Sequence, residues 1–174
     1  LAQVGDDVTV VASRSLYGKP GATLPKRETV DGIQVIRVSS NFFEKRGLGT
    51  RSIDYLRFNI TCFLKALTLP KQDVVICLTT PPFVALVGAA LAWLRGSKFV
   101  FWTMDLYPDL PVEAGIISRG SIGHRFFKML DSFCLKQADR VVVLGRCMRD
   151  RVLAKGVRPE KVEMIHPWSD PKEI

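Results

Sequence analysis

KFVFWTMDLYPDLPVEAG, residues 98–115, decides how the chain folds. Its first part, Phe99, Val100, Phe101 and Trp102, holds the β-branched and aromatic types that fill buried strands. It then turns acidic and proline-rich at Asp105, Pro108, Asp109, Pro111 and Glu113. A buried strand that runs out into an irregular polar segment marks the carboxyl edge of a parallel sheet, where α/β proteins bind ligands. No Lys or Arg lies between Met104 and Ser118, in a chain with 25 Lys+Arg against 17 Asp+Glu. The stretch reads as a strand followed by the wall of a substrate cleft.

The flanks repeat the pattern. Upstream, DVVICL at 73–78 is a short buried strand, followed by Thr79, Thr80, Pro81 and Pro82. Thr80 is placed to cap a helix with proline in its first turn. That helix, 82–95, is apolar nearly all round, and too short for a bilayer span of about 20 residues; it reads as a buried crossover. Downstream, 121–137 is helical, with Ile122, Phe126, Met129, Leu130, Phe133 and Cys134 expected to face inward. A strand at 139–144, an exposed helix at 146–155 stopped by Gly156, and a last strand at 162–165 follow.

Nearer the start, 8–12 and 33–38 read as strands, separated by a Gly- and Pro-rich loop at 13–27. Residues 51–69 read as a helix with Ile53, Leu56, Ile60, Phe63, Leu64 and Leu67 on one apolar face, ended by Pro70. Residues 1–7 read as the tail of a helix stopped at Gly5, so a strand and helix are expected upstream. The whole predicts an α/β fold, Rossmann-like and doubly wound, with a mostly parallel sheet. One domain is expected over 1–165, with a linker starting at 166.

Composition narrows the function classes. The 174 residues are 47% hydrophobic, which implies a packed core and excludes a disordered chain. The net charge of +8 is uneven: residues 14–71 hold 11 Lys/Arg against 4 Asp/Glu, and 119–158 hold 10 against 3. Such surfaces favour anionic partners. No helix-turn-helix, zinc-finger or RNP-type motif accompanies the charge, so nucleic acid is not the expected partner. Cys62, Cys77, Cys134 and Cys147 form no C-x-x-C pair and read as small hydrophobes of a reducing compartment. With only His124 and His166 as histidines, no metal site is expected.

Three segments, in order, resemble the N-terminal half of family-four glycosyltransferases of the GT-B fold. LAQVGDDVTVVAS at 1–13 is similar to that family's helix end and second strand, with Asp6 or Asp7 where histidine is usual. The block at 73–115, from DVVICLTTPP to DLYPDLPVEAG, resembles the subgroup that builds lipopolysaccharide and capsule repeat units. ADRVVVLGRCMRDRVLAKGVRPEKVEMIHPWSD at 138–170 resembles the end of the first domain, with Pro167 in place of asparagine. The resemblance implies an acceptor-binding N-terminal domain, a C-terminal domain for the nucleotide-sugar (a UDP-sugar), and retaining transfer needing neither cofactor nor metal. It also implies a polyprenyl-phosphate-linked glycan acceptor and a cytoplasmic protein, peripheral on the inner face of the plasma membrane. The 174 residues alone would then be inactive.

Asp105 is the first candidate residue. Just past a strand end, its carboxylate can orient or deprotonate an acceptor hydroxyl, or cap the following turn. Thr79, Thr80, Asp109 and Glu113 are the acceptor-binding candidates at the same edge. Phe42, Phe43, Lys45 and Arg46 join aromatic and basic character in one loop, which suits a membrane surface. Arg146, Arg149, Arg151 and Lys155 form a cationic face on the penultimate helix, and His166 and Trp168 lead toward a further domain. Three other readings stay open at the level of sequence: a standalone Rossmann-like binding domain, a nucleic-acid-binding α/β module, and a GT-B sugar epimerase.

Overall fold

Among the described residues of a computed structural model, the chain forms seven strands and five α-helices. The structure describes residues 1–16, 22–38, 48–113 and 115–167, with backbone alone for 48–52 and 110–111. The predicted membrane loop Phe42, Phe43, Lys45 and Arg46 lies outside the described residues, as does Trp168. The described residues group into two compact units, Leu1–Pro70 and Lys71–Ile174.

In the first unit, a short 3-10 turn, Ala2–Val4, stops at Gly5. Strand β1 (Thr9–Ser13) then pairs parallel with β3 (Ile33–Val38), in the register Val11 to Ile36. Between them lies a strand the sequence reading did not resolve. β2 (Arg27–Val30) pairs antiparallel with β3, and Val30 faces Ile33 across a two-residue turn. Asp31 and Gly32 both take positive φ, 51° and 81°, the backbone of a type I′ hairpin. The Asp-Gly pair was the available signal. Arg37 locks the hairpin, ion-paired with Glu28 and donating to the Pro25 carbonyl at 3.2 Å.

Helix α1 (Leu48–Leu67) packs on β1 and β3. Among its described side chains, the buried ones are Asp54, Phe58 and Cys62, one turn apart. The sequence reading had put Ile53, Leu56, Ile60 and Leu64 on the inward face; all four are exposed. Two apolar stripes run along this helix, and periodicity alone does not say which one meets the sheet.

The second unit is a four-stranded, wholly parallel sheet in the order β4 (Val74–Cys77), β5 (Lys98–Trp102), β6 (Arg140–Val143), β7 (Val162–Met164). Each crossover carries helix, as parallel pairing requires. These are α2 (Val84–Arg95), α3 (Asp109–Glu113) with α4 (Ile122–Gln137), and α5 (Arg146–Ala154). Val141, Val142 and Val143 are all buried, the signature of a central strand covered on both faces. Val141 and Val143 join Phe99, Leu135, Val152 and Val157 in one core. The α/β class with a largely parallel sheet, as the sequence predicts, is what the chain adopts.

Two close contacts set this unit's geometry. Gly88 brings α2 down onto the sheet: a Cβ there would stand 2.5 Å from Cys77 Sγ and 2.7 Å from the Phe99 ring. Asp139 ties the start of β6 to β5, accepting from the Phe99 amide at 2.9 Å and from Lys98 at 3.0 Å. The amide bond, then the lysine, hold its carboxyl below the ordinary carboxylate range.

Candidate functional site

The carboxyl edge of the parallel sheet is assembled by hydroxyl groups. Thr103, fully buried at the end of β5, donates its hydroxyl to the Val142 carbonyl at 2.7 Å, and its amide bonds the same carbonyl. Its oxygen also lies 3.3 Å from Met148 Sδ on α5. One residue therefore fastens β5, β6 and α5 where the chain leaves the sheet. Thr79, buried past the end of β4, then takes over: its Oγ1 accepts from the amides of Met104 and Asp105, each at 3.3 Å. Thr79 and Asp105 are thus brought together, with the threonine fixing the backbone that carries the half-buried aspartate.

Thr80 is exposed beside them, in a turn whose Thr80–Pro81 bond is cis. It does not cap α2, contrary to the sequence reading. The helix starts at Val84, and its N-cap position is Phe83, with no side-chain cap bond. Phe83 has φ 70°, a left-handed conformation costly for a bulky residue. Its ring is held by aromatic neighbours: Phe127 at 5.0 Å between centroids and Phe126 edge-on at 6.4 Å. Tyr107 stacks on the same Phe127 at 6.1 Å. Below these rings is a cavity of about 30 Å³ lined by Thr79, Phe83, Phe101, Tyr107, Phe127 and Asp131 among others. It is sized for water molecules rather than a sugar.

The acidic segment is held from below by a cation. Lys155, expected on an exposed face, turns inward, with only 13% of its side chain accessible. Its ammonium donates to Asp131 Oδ2 at 2.6 Å and to the Tyr107 carbonyl at 2.7 Å. Burial raises the Asp131 carboxyl pKa, and Lys155 pulls it back. Asp109, at the start of α3, meets Arg151 at 3.5 Å, while Glu113 at its end is exposed. Of the other predicted cations, Arg146 and Arg149 are exposed; His166 lies 3.1 Å through Nδ1 from the Leu144 carbonyl.

The sequence reading put Lys155 on the wrong face and missed Asp131, Thr103 and Phe83. Asp131 had a visible signal: it is the only acid in its helix. Burial pushes the Cys134 thiol up to about 12 and Cys62 up to about 11, so neither is a nucleophile at neutral pH. Among the described residues, no three His, Cys, Asp or Glu side chains gather as a metal site requires, and no helix is long and apolar enough to cross a membrane.

A family model described as a glycosyl transferase 4-like domain matches residues 1–168. The "Probable glycosyltransferase WbjE" of Pseudomonas aeruginosa is 33% identical over 104 residues, covering 60% of this chain and 26% of that protein. Among solved structures, Anabaena Alr3699/HepE in complex with UDP-glucose aligns with a TM-score of 0.51 at 15% identity. That alignment covers 80% of this chain and 32% of the other, and at such identity it concerns the fold alone. The chain spans about a quarter to a third of the length of these relatives.

Proposed function

The chain belongs to the glycosyl transferase 4-like family, and from that premise we propose that it is the acceptor side of a retaining glycosyltransferase of surface-polysaccharide synthesis. In this reading a sugar passes from a nucleotide-sugar, a UDP-sugar, to a polyprenyl-phosphate-linked glycan at the cytoplasmic face of the membrane. The observation that carries it is the junction of Thr79 with the Met104 and Asp105 amides. It holds a carboxylate at the carboxyl edge of a parallel sheet, where α/β folds present ligand-binding groups. Asp105 receives the acceptor hydroxyl as a hydrogen-bond donor, aligns its oxygen for attack, and can take its proton. Thr79 acts by fixing the Asp105 backbone; Thr80, Asp109 and Glu113 line the approach of the acceptor sugar. WbjE's name and the UDP-glucose of the HepE structure support a nucleotide-sugar donor. The donor is held mainly by a further domain, so the 174 residues alone bind acceptor without turnover.

The test is transfer by the full-length protein, with membranes as acceptor source and a panel of UDP-sugars. Asp105→Ala is expected to lower transfer by about 10²–10⁴-fold, the usual worth of a positioned acid–base group, with donor binding retained. Transfer at the unsubstituted rate would remove Asp105 from the mechanism.

A further inference from the structure

Helix α4 was expected to bury Ile122, Phe126, Met129 and Phe133, and it does not. Its buried side chains are Asp131, Cys134 and Leu135. Ile122 is 88% exposed, Met129 59%, Phe126 50% and Phe133 48%. Spacings of four, three and four residues put these within about 60° of arc, a single stripe along the helix. Such a stripe needs a reason, because exposed apolar patches of this kind mark interaction surfaces.

The charges beside the stripe select the partner. Arg125, Lys128 and Lys136 run along one flank, all exposed, and Arg119 stands exposed just before the helix. The helix's only carboxylate, Asp131, is buried against Lys155. His124, Arg125 and Lys128 line a shallow hollow that also touches Met129. On its other side the stripe continues through Phe126 to Phe83 and Phe127, the rings over the cavity next to Thr79.

We propose that the outward face of α4 docks this protein on a bilayer of anionic phospholipid, with Ile122, Phe126, Met129 and Phe133 entering the interface and Arg125 and Lys128 meeting headgroup phosphate. Apolar area and headgroup attraction add in such surfaces, and the flank carries no acid to oppose them. The face deepens the transfer reading, on which its purpose rests, because it sets the acceptor cleft beside the lipid that carries the acceptor.

The experiment is cosedimentation of the purified chain with vesicles of phosphatidylcholine alone and of phosphatidylcholine mixed with phosphatidylglycerol. Binding is expected only to the mixed vesicles, and to weaken with salt. Arg125→Glu with Lys128→Glu should lower the partition coefficient by about tenfold or more. Ile122→Ser with Met129→Ser should lower it comparably, with circular dichroism and Tm unchanged, since neither side chain is in the core. Reversing Arg146 and Arg149, exposed cations on α5, should matter much less. Absence of binding, equal binding to both vesicles, or equal binding by all variants would overturn the proposal. So would concentration-dependent self-association abolished by the serine variant, which would assign the face to a second copy. Transfer by the full-length protein to a short-chain, water-soluble acceptor separates the two readings. Retained transfer without vesicle binding removes the docking face alone; vesicle binding without transfer removes only the enzymatic reading.

Discussion

At the scale of single residues, the least expected feature is the Lys155 ammonium shared between Asp131 and the Tyr107 carbonyl. Lys155→Met keeps the stem of the side chain but leaves a buried carboxylate without its cation, a loss of about 3–5 kcal/mol. The pH dependence follows from the direction of the shift. Burial holds the folded pKa of Asp131 above its ordinary value, and removing the ammonium raises it further. For an acid shifted up, the associated stability is present below the unfolded pKa and lost as pH rises through the folded one. The variant should therefore be most destabilised near neutrality and recover partly on acidification, when folded Asp131 takes up a proton. Urea melts of both proteins at about pH 7 and about pH 5 check this, and an identical difference at both would exonerate Asp131. The position of Asp105, just past the end of β5, was legible from the hydrophobic strand before it. Lys155 was not, because its inward turn depends on a partner 24 residues away that sequence spacing cannot pair with it.

Among elements, strands β1, β3, β4, β5, β6 and β7 were legible because β-branched runs have few alternatives. Helix faces were not. On α4, Cys134 is buried as read, but Ile122, Phe126, Met129 and Phe133 are solvated, and the inward line passes through Asp131, a position that a hydrophobic pattern rejects. Here a buried ion pair overrode the pattern, as it also turned Lys155 away from the cationic face. Helix α2 shows the converse: it is apolar nearly all round, and its orientation is set by Gly88, the point of closest approach to β4 and β5. Gly88→Ala would gain about 1 kcal/mol in helix propensity. It would also drive a methyl group into Cys77 Sγ and the Phe99 ring, and Phe99 is 1% exposed with nowhere to move. Overpacking of that kind costs about 1–3 kcal/mol, so net destabilisation is expected. A denaturation midpoint at or above that of the unsubstituted protein would show that α2 can lift off the sheet without penalty.

Over the whole molecule, the class of fold was legible from the order of elements, whereas the grouping of strands was not. Strand order depends on pairings between distant segments, and β2 joins its sheet through a hairpin that only the Asp31-Gly32 pair announces. The two units also differ in how they are buried. The β1–β3–β2 sheet has Ile36 as its one buried strand residue among those described, while β5 and β6 contribute Phe99, Phe101, Val141 and Val143 to a shared core. Local opening free energy follows buried apolar contact, so protection from hydrogen exchange should divide along the same line. Amides of β5 and β6 should exchange only through global opening, and those of β2 and β3 at least about tenfold faster. Native-state exchange read by mass spectrometry resolves the two sheets as separate peptides. Equal protection would mean that the first sheet is stabilised by cooperative coupling rather than by its own core. A graded result would place the parallel sheet that carries the Thr79–Asp105 junction in the more rigid part of the described chain. The proposed transfer, in which the Asp105 carboxylate meets an acceptor hydroxyl within hydrogen-bond reach, would require that rigidity.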